Sequence, residues 1–213
     1  MTTLLRHLVD TLLSILAPST CSACGEPESE RVFCAPCGEP DRAARREIDG
    51  VPVLAAGRYA PPLSNAIRRF KFEGHPELAR SLARLVLAEV AALSLERRDA
   101  WVPVPLHRAR VVERGFNQSA LLALALAKAT GTRFAPRALE RRRRTDQQAR
   151  LEREGRAHNV HGAFTLRRAV AGGRVVLVDD VVTTGATVRA CLDAFRAANV
   201  RVLAVVALAV APA

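Results

Sequence analysis

Arg174-Val175-Val176-Leu177-Val178-Asp179-Asp180-Val181-Val182-Thr183-Thr184-Gly185-Ala186-Thr187 is the stretch whose reading decides the fold. Val175 to Val178 form an unbroken apolar run, which predicts a short strand buried on both faces, as in a parallel sheet. Asp179 and Asp180 follow where that strand should emerge. A loop of small residues with Thr183, Thr184, Gly185 and Thr187 comes next, and helical spacing at Val188, Cys191, Leu192 and Phe195 begins directly after it. Strand, loop and helix N-terminus in that order aim backbone N–H groups and the positive end of the helix dipole at an anion. Threonine hydroxyls add donors, and Gly185 lets the backbone come close to a phosphate. A loop built for phosphate alone gains nothing from two adjacent negative charges. They suit a ligand that also offers hydroxyl donors or a divalent cation, and a ribose 5-phosphate carries vicinal hydroxyls near its phosphate.

Upstream, Trp101 to His107 predicts a strand closed by a proline-punctuated turn, followed by a helix from Ser119 to Ala129. Glu77 to Leu95 has Leu78, Leu82, Leu85, Val86, Val90 and Leu93 on one side, the pattern of an amphipathic helix. Tyr59 to Gly74 predicts a turn and a helix, with Arg68, Arg69 and Lys71 clustered on it as either a solvated face or an anion contact. Val200 to Val210 is a last apolar strand, too short to cross a membrane. Strands that alternate with helices predict an α/β domain with a largely parallel sheet.

The amino-terminal third reads differently. Residues 1–18 place Leu4, Leu5, Leu8, Val9, Leu12 and Leu16 at helical spacing, interrupted by His7 and Asp10. An amphipathic helix that packs on the body or a partner fits this better than a signal peptide or a membrane span. Cys21, Cys24, Cys34 and Cys37 then form C-x2-C-x9-C-x2-C, with Gly25 and Gly38 each directly after a pair. Two such knuckles present four thiolates to a structural zinc ion, and a full set of sulfurs leaves no open position for catalysis. Nothing else indicates export, so disulfides are disfavoured and a cytoplasmic location is expected. Cys191, alone on a helix face, reads as a small buried hydrophobe. The expected organisation is a helix over 1–18, a zinc module over 19–40, a linker over 41–53 and the main domain over 54–213.

Of 213 residues, 49% are apolar, enough for a packed core, and the net charge of +11 favours anionic partners. Lys71 and Lys128 are the lysines in a chain whose Lys and Arg total 32. Arg141 to Arg144, with Arg150, Arg153 and Arg156, form a run too charged to be core. A solvated helix and a track for a phosphodiester backbone both fit it.

The stretch 174–187 resembles, at every position, the phosphoribosyl-pyrophosphate (PRPP) signature of type I phosphoribosyltransferases. Pro103-Val104-Pro105-Leu106-His107 and Arg114-Gly115-Phe116-Asn117-Gln118 add a second likeness, joined by the spacing of Asn159-Val160 and Phe164 and by the paired C-x-x-C-G knuckles. In this order they resemble the ComF family of competence-associated, phosphoribosyltransferase-like proteins across essentially the whole chain. The resemblance implies the type I phosphoribosyltransferase fold with a small zinc-ribbon-like module. It implies Asp179 and Asp180 on the ribose hydroxyls, Thr183, Thr184, Gly185, Ala186 and Thr187 around the 5-phosphate, and Leu106, His107 and Arg108 on the pyrophosphate. Arg144, Thr145 and Gln148 would belong to a mobile hood, similar to that of glutamine amidophosphoribosyltransferases, which closes over PRPP and excludes water. The implied activity is pentosyl transfer from magnesium-bound PRPP to an acceptor the sequence does not name. Asp179 and Asp180 would hold the sugar and stabilise its developing positive charge. The competing expectation is a single-stranded DNA-binding or regulatory protein of the DNA-uptake machinery that keeps the PRPP site without turnover. Aromatic residues at 4% give no evident base-stacking platform for it.

Overall fold

The computed structural model describes residues 20–28, 30–42, 46–106, 108–141, 163–167, 170 and 173–211. The helix expected over 1–18, His107, and the hood residues Arg144, Thr145 and Gln148 lie outside the described residues, as does Asn159-Val160. In chain order the described strands are β1 (Arg46–Ile48), β2 (Val51–Arg58), β3 (Ala100–Pro103), β4 (Arg133–Phe134), β5 (Leu139–Arg141), β6 (Phe164–Leu166), β7 (Arg174–Val178), β8 (Val181–Val182) and β9 (Arg201–Val210). The described helices are α1 (Leu63–Phe72), α2 (Leu78–Val90), α3 (Arg108–Arg114), α4 (Gln118–Thr130) and α5 (Ala186–Ala197).

The main sheet runs β1-β2-β9-β7-β3-β4, with β8 paired to the end of β9. The β1–β2 pair is antiparallel and the other pairs are parallel. β5 and β6 form a separate antiparallel pair. The α/β class expected from the alternating pattern is therefore what the chain adopts.

β7 shows why an apolar run of this kind becomes an inner strand. Val176 and Val178 join the core packed under α1, α2 and α4, whereas Val175 and Leu177 join the core under α5. All four are at most 1% exposed. At about 1.5–3 kcal/mol for each fully buried aliphatic side chain, the strand is held from both faces, and a charge at Val176 would break it.

The expected boundary at the front of the domain needs correction. Within 41–53, read as linker, Arg46–Ile48 and the start of β2 are sheet strands, with Arg46 opposite Val53 and Ile48 opposite Val51. A strand of three residues is too short to show alternation, so it reads as irregular charge in the sequence. Helix α3 likewise leaves no periodic signal in the sequence, because its seven residues complete barely two turns.

The strand order positions the site. From β3 the chain passes through α4 to β4 on one side, and from β7 it passes through α5 to β9 on the other. Neighbouring strands whose connections diverge leave a crevice at their carboxyl ends, where ligands bind in open α/β sheets. Asp179 emerges from one of those two strands, and the Val104–Leu106 turn from the other.

Candidate functional site

At the end of β7 the backbone is fixed before any side chain acts. The Asp179 N–H donates to the Val206 carbonyl (2.9 Å), and the Asp180 carbonyl accepts from the Leu208 N–H (3.0 Å). β9 thus holds both aspartates in register. The Asp179 Oδ1 accepts from the Ser119 hydroxyl (3.2 Å) and from the Asp180 N–H (2.9 Å). Asp180 Oδ1 lies 2.7 Å from the Lys71 ammonium. Burial, and then the neighbouring Asp180 charge, push the Asp179 carboxyl up to about 7, against the opposing pull of Lys71 and Ser119. Beneath the pair, burial and the Asp179 charge push the Cys191 thiol up, and its side chain is fully buried, as expected for a small hydrophobe.

The loop beyond is a concavity of about 230 Å³, open to solvent, lined by Asp179 and residues 181–188. Gly185 is the N-cap of α5 at φ 80° and offers no side chain to cap the helix. A Cβ at Gly185 would stand 2.7 Å from Ile48 Cδ1, so the left-handed backbone and the closeness of β1 each demand glycine. Amide groups of the first helical turn have no intrahelical partners, and here they face the loop. The Thr184 hydroxyl accepts from the Ala186 N–H at 3.4 Å. Arg46 donates to the Thr183 carbonyl (2.6 Å) and Arg189 to the Thr184 carbonyl (3.0 Å), which brings two guanidinium groups to the loop. Thr187 is the second residue of that helix.

Of the proposed pyrophosphate residues, Leu106 is half-buried in the turn after β3, and Arg108 opens α3. Asn117 fixes that turn. Its amide donates to the Val104 carbonyl (3.1 Å), while its oxygen caps α4 by accepting from the Ala120 N–H. The next two residues, Gln118 and Ser119, are buried, and Ser119 reaches Asp179.

Several site residues were not identified from sequence. Arg46 lies in a stretch that reads as linker, Ser119 reads only as a helix start, and Arg189 carries no local signal. Arg68, Arg69 and Lys71, undecided between two roles, divide among three. Arg68 pairs with Glu73 at the surface, Arg69 donates to the Cys21 and Ser22 carbonyls (2.9 and 3.1 Å), and Lys71 enters the acidic site. Successive helical residues point about 100° apart, so a cluster in sequence is not a cluster in space.

The cysteine module packs on the core that α1 and α2 share: Cys21 is fully buried and Phe33 2% exposed. Its two knuckles repeat one geometry. The Gly25 N–H donates to the Cys21 carbonyl and the Gly38 N–H to the Cys34 carbonyl, both glycines having positive φ (86° and 74°). The four ligand sulfurs lie within 4.8 Å of one another, and Cys24 and Cys34 are 3.6 Å apart. Tetrahedral coordination at a metal–sulfur distance of about 2.3 Å requires sulfurs about 3.8 Å apart, so the four sulfurs are grouped closely enough that they could hold a metal ion. The Cys34 N–H also points at Cys21 Sγ (3.3 Å). The sulfurs and burial together push Cys37 up to about 12. Cys21 is held down at about 6, because the N–H groups of Cys24, Cys34 and Ala23 outweigh its burial. None of the five cysteines is in a disulfide. No helix among the described residues is long and apolar enough to cross a membrane.

Comparison with known proteins agrees with this fold. Residues 117–213 match the family model described as "Phosphoribosyl transferase domain". The chain is 36% identical over 181 residues to "DNA utilization protein YhgH" of Escherichia coli K12, covering 79% of this chain and 80% of that protein. It is 31% identical over 190 residues to "Competence protein F" of Haemophilus influenzae, with 82% and 83% covered. It is 27% identical over 188 residues to "Competence protein ComFC" of Bacillus subtilis, with 84% and 74% covered. The mostly parallel sheet is that of the type I phosphoribosyltransferases. Relatives at 36% and 31% identity, each matched over about four fifths of its own length, show the family, and the chain belongs to the ComF family.

Proposed function

We propose that the crevice at the carboxyl ends of β3 and β7 binds PRPP with magnesium, and that the protein transfers its phosphoribosyl group to an acceptor with release of pyrophosphate. The observation that carries this reading is the acidic pair fixed beside the N-terminus of α5, whose cap residue is a glycine in the left-handed conformation. A carboxylate pair next to an anion-binding helix end suits a ligand with hydroxyls at one place and a phosphate at the next. Asp179 and Asp180 accept from the ribose hydroxyls, and the amides of residues 185–187 with the threonine hydroxyls cradle the 5-phosphate. Leu106, His107 and Arg108 attend the pyrophosphate, and Arg144, Thr145 and Gln148 close over it. Magnesium supplies charge neutralisation for the departing pyrophosphate. As the C1–O bond breaks and the acceptor bonds to C1, the carboxylates stabilise positive charge on the ring.

Equilibrium binding of magnesium-PRPP tests this. A charge-assisted hydrogen bond contributes about 1.5–3 kcal/mol, so replacing both aspartates (Asp179→Asn with Asp180→Asn) should weaken binding at least about 100-fold. Equal affinity in the two proteins would refute the assignment. Pyrophosphate release in the presence of candidate acceptors then tests turnover.

The four cysteines hold a structural zinc ion in this reading, supported by their spacing and the fit of their sulfurs. Elemental determination on reduced protein should return one zinc per chain, and Cys24→Ser should lower that content. The names of the relatives, with a net charge of +11, favour one further reading, single-stranded DNA binding in DNA utilisation or competence. Binding that falls steeply with salt and is lost when Arg141 to Arg144 are neutralised would support it; binding flat with salt would exclude it.

A further inference from the structure

Lys71 is a basic residue inside an acidic site, contributed by an element remote in sequence from the signature stretch. It stands in the last turn of α1, and its Nζ is 2.7 Å from Asp180 Oδ1. The two side chains are 16% and 13% exposed, so solvent screens the pair little. Asp179 is served by neutral donors, the Ser119 hydroxyl and the Asp180 N–H, whereas Asp180 is served by a full charge. Two adjacent carboxylates in a partly buried place repel each other unless a cation offsets them. The choice of lysine is informative in a chain whose other site cations, Arg46 and Arg189, are arginines. An arginine fork spans both oxygens of a carboxylate, while a lysine takes one and leaves the other to accept from a ligand hydroxyl.

We propose that Lys71 is a positioning residue for ligand binding at the acidic pair, its ammonium holding the Asp180 carboxylate in place and supplying the positive charge that lets two neighbouring aspartates face a sugar. This rests on the reading of the crevice as a sugar-phosphate site. Among the described residues, the groups that act on the pair from the surrounding elements are Lys71 from α1, the Ser119 hydroxyl from α4 and the Cys191 thiol from α5, with Arg141 of β5 acting on Cys191 from farther off. Removing the lysine charge therefore makes ionisation of Asp179 harder, and ligand binding should need a higher pH.

The experiment measures magnesium-PRPP affinity from pH 5.5 to 8.5 for wild type, Lys71→Met and Lys71→Arg, with folding monitored through Trp101 emission. Lys71→Met should bind about tenfold more weakly at pH 7 and shift the pH of half-maximal affinity upward by about one unit, a shift typical for loss of an opposite charge at this range. Lys71→Arg should restore the pH profile while recovering only part of the affinity. If Lys71→Met does not fold, Lys71→Gln takes its place with the same expectation. A wild type that binds PRPP, beside a Lys71→Met of equal affinity and unchanged pH profile, overturns the role of Lys71 and leaves the sugar-phosphate reading intact. Equal losses in Lys71→Met and Lys71→Arg without any pH shift also overturn it, since packing alone would then matter. A wild type that binds no PRPP at any pH removes the sugar-phosphate reading itself, and this inference with it.

Discussion

The two ends of β7 handle negative charge in opposite ways. At the amino end, Asp99 is 1% exposed and meets Arg174 as a fork, with Arg174 Nε 2.9 Å from Oδ1 and an Nη2 2.6 Å from Oδ2. The Glu96 N–H donates to the same carboxylate at 2.7 Å. The hydrogen bonds from Arg174, and then from Glu96, hold the Asp99 carboxyl below its ordinary range despite burial. At the carboxyl end, Asp179 has neutral donors, and its nearest charged neighbour is another aspartate; its carboxyl is pushed up. One end spends its hydrogen-bonding capacity inside the fold, and the other keeps capacity for a ligand. The difference separates a carboxylate that stabilises the protein from one that the fold tolerates for binding.

The larger of the effects that could break this comparison is at the amino end. Asp99→Ala leaves Arg174 partly buried and removes the acceptor for the Glu96 N–H. Loss of one partner of a buried pair costs about 3–5 kcal/mol, and the 27% exposure of Arg174, with Glu96 as a second partner at 3.0 Å, brings the expected cost to the lower end. Chemical denaturation followed by the emission of Trp101 measures it. The pH dependence has a definite sign. Because the folded carboxyl lies below its unfolded value of about 3.9, its contribution is complete above that pH and disappears as pH falls below it. The gap in stability between wild type and Asp99→Ala should therefore close in acid. A gap that is constant down to pH 2 would mean that Asp99 acts through packing alone.

The comparison also explains what could be read from sequence and what could not. β7, the loop and the helix after it were legible because each has a local signature: a four-residue apolar run, a glycine-threonine loop, and spacing near 3.6. The cysteines were legible for the same reason, since two knuckles of fixed spacing are nearly a metal site before folding begins. The Asp99–Arg174 fork joins residues 75 positions apart, and neither residue carries a local pattern that announces the other. Lys71 shows the same limit more sharply: with Arg68 and Arg69 it formed one basic cluster, and only the path of α1 between the cysteine module and β7 decides which of them meets a carbonyl and which a carboxylate. Arg46 was hidden by the brevity of β1. Periodicity reveals faces, whereas long-range charge pairing depends on the assembled sheet.

A smaller effect, but opposite in direction, belongs to the carboxyl end. Asp179 is raised to about 7 in the folded protein against about 3.9 unfolded, so the folded state holds the proton more tightly. Its relative contribution is complete below about pH 3.9 and is lost as pH rises through 7. Above pH 7 the fold carries a charged, partly buried carboxylate next to another, and Asp179→Asn removes that cost while keeping a group that can accept from Ser119. The melting temperature of Asp179→Asn should therefore exceed that of wild type at pH 8, and the two should converge as pH falls toward 4. The same substitution should weaken PRPP binding, so stability and affinity move in opposite directions at one residue. At Asp99 no such opposition is expected, since that carboxylate faces no ligand. If Asp179→Asn lowers the melting temperature at pH 8 instead, the carboxyl end is stabilising in the manner of the amino end, and the distinction between the two ends of β7 fails.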